Sequence, residues 1–348
     1  MIEDLQRLRS EDQPTSSGSQ GQKLWFVRLS SRLNLPFWAG VWLVALVPAI
    51  VLWALGTENG ITVAYAGTPP IVSLLLLALN MVFLLSASQL ICTRILQLRD
   101  HANALRLEHR VGKVRGIYSL SGILIVWFFL LLSSSGFFDT YVFNLHYSFY
   151  KILLRIISTS YLRFAQATFL WVLGCATYCI YSWGKLPMKL KSFAEDKTLG
   201  LNPFGNASLL CVAFYIAAVL LTFPVFVDTG EEVVIGQTIF FLLGLLLFLG
   251  PLLSLRKKLV EIKSQKMAWI STRHARVMQM IEAKAETEGS LDQGLVNELI
   301  AIDHIKRDIQ AIRHWPFDFD VITRLATVVI VPVLTVLIAT IISHAIHI

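Results

Sequence analysis

The chain predicts an all-α fold, a polytopic transmembrane helical bundle of about seven spans with a cytoplasmic helical hairpin, and three observations predict it. The first is composition. Hydrophobic residues make up 55% of the 348 and charged residues 15%, with a mean hydropathy of +0.63, so there is too little polar surface to cover a soluble globule of this size. The second is a set of apolar runs near the ~20 residues that a helix needs to cross ~30 Å of hydrocarbon. The third is the pattern within those runs, which lacks the alternation of barrel strands. A backbone exposed to lipid must satisfy its own N–H and C=O groups, and without a barrel only helices do so.

Taken in order, residues 1–35 read as a disordered cytoplasmic tail, because the Ser-, Gly- and Gln-rich stretch Gln13 to Gln22 has too little apolar surface to fold. A secretory signal is not expected, since its apolar stretch would follow a short basic start directly. Residues 36–255 read as six spans with their loops: Pro36 to Leu55, Pro69 to Cys92, Ile117 to Phe137, Phe164 to Gly184, Gly205 to Val227 and Ile235 to Leu255. The segment Asp139 to Arg163, rich in aromatics and carrying Lys151 and Arg155 on one helical face, reads equally well as an interfacial helix or as an extension of the fourth span. Asn202 to Gly205 reads as a turn before the fifth span.

Between Arg256 and His314 the composition shifts to eleven basic and eight acidic residues. Leu295, Leu299, Ile302, Ile305, Ile309 and Ile312 form an apolar stripe at gaps of three and four. Leu255, Leu259, Ile262, Trp269, Val277, Met280 and Ile281 form a looser one. A break at Glu288-Gly289-Ser290 separates them. Residues 256–314 therefore read as a two-helix hairpin, continuous at its base with the sixth span and of coiled-coil character. Its stripes need a partner, first of all each other, otherwise the inner loops or a second subunit. Residues 315–348 read as an interfacial elbow, Trp315, Pro316, Phe317 and Asp318, followed by a seventh span, Leu325 to Ser343. Pro316 breaks the helix, Trp315 suits the interface, and Asp318 can cap the helix that follows.

Orientation follows from Lys and Arg. Of 30 basic residues only Lys151, Arg155 and Arg163 fall in expected outer loops, and the others flank inner ones. The N-terminus is expected inside and the C-terminus outside, most simply in a bacterial inner membrane. The net charge of +7 sits beside spans, where it meets anionic headgroups on the cytoplasmic face and does not point to nucleic acid. Cys92, Cys175, Cys179 and Cys211 read as small apolar residues of spans.

On this division no charge falls near the middle of a span, which weighs against proton relays, ion-coupled carriers and voltage sensors. Uncharged polar residues do occur within spans. Asn80, Ser86, Gln89, Ser134, Gln166, Thr168, Gln237 and Thr335 are candidates either to line a path or to bond neighbouring helices. Five histidines, His101 among them, are expected to face solvent. His344 and His347 share a face at the C-terminal end, with no third ligand nearby. The chain has no Gly-rich phosphate loop, nucleophile elbow or HExxH, so no enzyme, metal or cofactor is expected. Function is expected to be that of an oligomeric channel or membrane effector gated through the hairpin, or else of a non-conducting scaffold whose hairpin docks a soluble partner.

Overall fold

The computed structural model describes residues 23–58, 70–104, 116–132, 149–185, 198, 200–222, 231–288, 293–312 and 323. These are helical, with no strand among them. They form α1 (Trp25–Arg32), α2 (Phe37–Glu58), α3 (Pro70–Ala104), a 3-10 turn at Gly116–Tyr118, α4 (Leu120–Leu132), α5 (Phe149–Gly184), α6 (Asn202–Thr222), α7 (Glu231–Glu288) and α8 (Gln293–Gln310). Contacts divide the chain into two units. One comprises Met1–Cys92, Lys113–Cys175 and Leu221–Asp228, the other Thr93–Gly112, Ala176–Leu220 and Thr229–Ile348.

Among the described residues three helices are long and apolar enough to cross a membrane, over Leu74–Asn103, Thr159–Gly184 and Asn202–Leu221, and a fourth is reached if α1 and α2 count as one broken span. Apolar side chains stand exposed on α2 (Trp38, Val47, Ile50) and on α4 (Ile125, Phe128, Phe129), an arrangement compatible with a lipid surround. The described part of the third expected span is short, the 13 residues of α4. The sixth expected span is helical within α7, with most of its side chains outside the described residues, where the seventh span and the elbow also lie.

In the first unit, α1 occupies a stretch that the sequence places in a solvated tail. Its helix is amphipathic, with Phe26 and Ser30 buried on one face and Arg28 and Arg32 exposed on another. The motif that ends it explains the turn into α2. Leu35 N–H bonds Ser30 O at 3.1 Å and Asn34 N–H bonds Ser31 O at 3.4 Å, with Asn34 in the left-handed region at φ 53°. This is a Schellman cap closed by the residue type, after Gly, that best tolerates that conformation. The chain turns by 107° between α1 and α2. Ser30 Oγ donates to Leu35 O at 3.0 Å, and Gly40 leaves room for it, since any Cβ there would overlap the serine.

Indole donors knit α1, α4 and α5. Trp25 Nε1 donates to Thr168 Oγ1 at 3.1 Å, Trp127 Nε1 to Ser160 O at 2.9 Å and Trp171 Nε1 to Gly116 O at 2.9 Å. Phe164 takes both Trp25 and Trp127 against its ring, at centroid distances of 5.2 and 6.3 Å. Gly122 admits the Trp171 ring where any side chain would collide with it.

In the second unit, Leu201 N–H bonds Thr198 O at 3.0 Å through a turn in which Gly200 has φ 86°. Helix α6 starts directly after it. Asn202 and Pro203 are thus the first residues of a helix and not a turn, a place where the missing proline N–H costs nothing. His101, expected in solvent, bonds Gly200 O through Nε2 at 3.1 Å and packs beside Phe204. Helix α7 runs unbroken for 58 residues, roughly 87 Å at the helical rise, and α8 packs antiparallel against its second half.

Candidate functional site

The candidate polar residues divide by what holds them. On α3, Asn80 and Ser86 are buried and Gln89 half-buried. At 3.6 residues per turn, Asn80 and Gln89 are half a turn out of phase, so they do not share one path. Ser86 Oγ is buried with no hydrogen-bond partner among the described residues, whereas neighbouring Ser88 donates to Leu84 O at 2.7 Å within its own helix. On α5, Thr168 is fully used, donating to Phe164 O at 2.9 Å and accepting from Trp25. Its role is to join helices. Gln166 lies on the opposite face and accepts from Arg163 Nη1 at 3.0 Å. Ser134, Gln237, Thr335 and the elbow Trp315 to Asp318 lie outside the described residues or side chains.

Arg163 departs most from expectation. Assigned to an outer loop, it stands inside the candidate span Thr159–Gly184, because α5 begins at Phe149 and carries through the aromatic segment without a break. The alternative left open is settled for residues 149–163, which extend the span's helix. Among the described residues Arg163 Nε is buried without a partner, as is Tyr161 Oη, and Arg163 has no ion-pair partner. A half-buried guanidinium, with one hydrogen bond to an amide, is thus the one charged group within the span Thr159–Gly184. Hydropathy alone hid it, since aromatic and basic residues at 149–163 lower the average of a segment that is helical throughout.

A second polar feature opens beside α1. A groove of about 310 Å³ is lined by Trp25, Arg28, Leu29, Arg32, Tyr118, Leu120 and Ile123. Arg28 Nε donates to Lys23 O at 2.8 Å, which holds its guanidinium at the rim.

The hairpin carries the third. Arg273 Nε bonds Glu298 Oε1 at 2.8 Å, and Lys263 Nζ donates to Gln310 O at 2.8 Å and Ile312 O at 2.9 Å. The lysine thereby satisfies carbonyls that a helix end leaves open. That register sets Leu259 level with Ile312 and Ile270 level with Ile302, all four buried. Two residues of the looser stripe are corrected. Trp269 is 63% exposed and Met280 is exposed, while Ile270, next to Trp269, takes the inner position with Val277. The side chain one residue on is turned by about 100°, and the bulk of the indole misleads a pattern search.

Comparison with known protein families, characterised proteins and solved structures found no match. The site's own chemistry therefore carries the functional reading. Among the described residues no three His, Cys, Asp or Glu side chains gather closely enough to hold a metal ion.

Proposed function

We propose that the protein is an oligomeric membrane channel or effector of seven spans, gated through a cytoplasmic hairpin formed by the second half of α7 together with α8. Its N-terminus lies inside and its C-terminus outside a bacterial inner membrane, and the hairpin helices pair as a short coiled coil. Support comes from Arg163. A guanidinium with no carboxylate beside it among the described residues, and with a buried unpartnered nitrogen, is costly in a dry apolar packing and is relieved by water or a passing anion. The Arg163–Gln166 face of α5 is accordingly the part of the path that selects, and its sign favours anions. No reaction, metal or cofactor is invoked.

The test is chloride flux from proteoliposomes. Flux above that of empty vesicles, falling about tenfold or more in Arg163→Met at equal incorporation, supports the channel. A wild-type protein that is monomeric and passes no ion or solute under any tension or ligand overturns it.

A second reading has its own observation. Trp269 and Ile300, each 63% exposed, stand on the outer faces of the hairpin, as expected of a scaffold that docks a soluble partner there. In that case one partner is recovered repeatedly from native membranes, and it is lost on Trp269→Ala or on deletion of residues 258–313.

A further inference from the structure

Helix α1 carries an apolar stripe that begins inside the protein and runs out of it. Phe26, Leu29 and Leu33 recur at gaps of three and four, the helical spacing. Phe26 is buried between the rings of Trp25 and Phe37, whereas Leu29 and Leu33 stand exposed. The open end leads through the Asn34 turn to Trp38 and Trp42, where the exposed face of α2 starts. Leu120, at the start of α4, is also exposed and lines one groove with Leu29. Arg28 and Ser31 lie on the opposite face of α1. Arg28 is already engaged, through Lys23 O among others, so whatever covers the stripe is held by apolar contact and needs no free cation.

The 22 residues of α2 carry no charge before Glu58 and reach roughly 33 Å, enough to cross the hydrocarbon. Helix α1 is turned 107° from it. With α2 along the bilayer normal, α1 lies within about 20° of the bilayer plane, the posture of an interfacial amphipathic helix. Trp25 holds it there through Thr168 and Phe164. Counting α1 as the first turns of a broken span would carry Arg28 and Arg32 into hydrocarbon at high cost.

We propose that Leu29, Leu33, Trp38 and Leu120 form a membrane-docking surface, by which α1 lies in the leaflet beside the start of α2 with its leucines among the first acyl carbons. Continuity of the stripe with the exposed face of α2 favours lipid over a second copy of the chain as its cover. The surface rests on α2 crossing a membrane and not on conduction, so no flux measurement enters the test.

The full-length protein is placed in phosphatidylcholine nanodiscs containing a phospholipid with a diazirine near the glycerol end of one acyl chain. After irradiation, lipid adducts are located by peptide mass spectrometry. Adducts are expected at Leu29 and Leu33 as at Trp42, and about tenfold fewer at Ser31 on the opposite face. Leu29→Glu/Leu33→Glu changes only exposed positions, and should lower adducts over residues 23–35 about tenfold while those at Val47 and Ile50 persist. Adducts at Val47 and Ile50 with none at Leu29 or Leu33 overturn the docking surface and leave the span standing. Adducts in neither segment overturn the span and the docking surface with it. A disulfide-linked dimer of Leu33→Cys without lipid adducts at Leu29 assigns the stripe to a second copy and overturns the proposal as well.

Discussion

A side chain at position 122 would enter the Trp171 indole, so Gly122→Leu is expected to force α4 from α5 and lower stability by about 1–3 kcal/mol. Thermal unfolding in detergent, followed by tryptophan fluorescence, checks it; an unchanged Tm rules out the close approach. Trp25→Phe keeps the ring against Phe164 and removes only the bond to Thr168, a loss of about 0.6 kcal/mol for a hydrogen bond between membrane helices. Arg163→Met acts in opposite directions on two readouts. Stability holds or rises, because a buried unpartnered nitrogen is gone, while chloride flux falls. A parallel fall in both would make Arg163 a structural residue. At this scale the sequence was informative about residue type and poor on context. Ser86 and Thr168 read alike as small hydroxyl residues in apolar runs, yet one is unpartnered and the other doubly bonded. The difference is made by Trp25, 143 residues away, which no local pattern reports.

Helices were more legible than their contacts. Helix α7 ends at Glu288 and α8 begins at Gln293, on either side of the break predicted at Glu288-Gly289-Ser290, where a Gly-containing polar stretch interrupts two apolar periodicities. Helix α1 escaped notice because eight residues are too few to yield a periodic signal, and its burial comes from partners far along the chain. The hairpin offers a sharper test of packing against surface charge. Ile270→Asp sets a carboxylate in the buried seam, and amide exchange over residues 293–310 should rise by two orders of magnitude or more, as for an unpaired buried charge costing about 3 kcal/mol. Arg273→Ala removes a pair that is exposed on both sides and costs under about 1 kcal/mol. Should the two variants exchange alike, the seam formed by Ile270 and Ile302 is not what holds α8 in place.

For the molecule as a whole, composition was enough to predict helices apolar enough to cross a membrane, because hydropathy is an average and survives errors at single positions. Counting spans is harder. Helices here outrun the hydrocarbon thickness, α3 with 35 residues and α5 with 36, so the ends of apolar runs do not coincide with the ends of elements. Oligomeric mass tests the assembly: the intact chain is expected to run in detergent as a defined oligomer, and removal of residues 258–313 to reduce it to a monomer if the hairpin holds subunits together. An intact monomer excludes a shared pore. Helix α7 adds a mechanical consequence. With Pro251 inside it and no break down to Glu288, the stretch past Leu255 is a stiff arm of roughly 50 Å, and pivoting it by about 5° sweeps its tip through about 4 Å. Rearrangements too small to register among packed apolar side chains are thus magnified at the far end of the arm, so a pair of spin labels near Glu286 would report first on any switching of this protein.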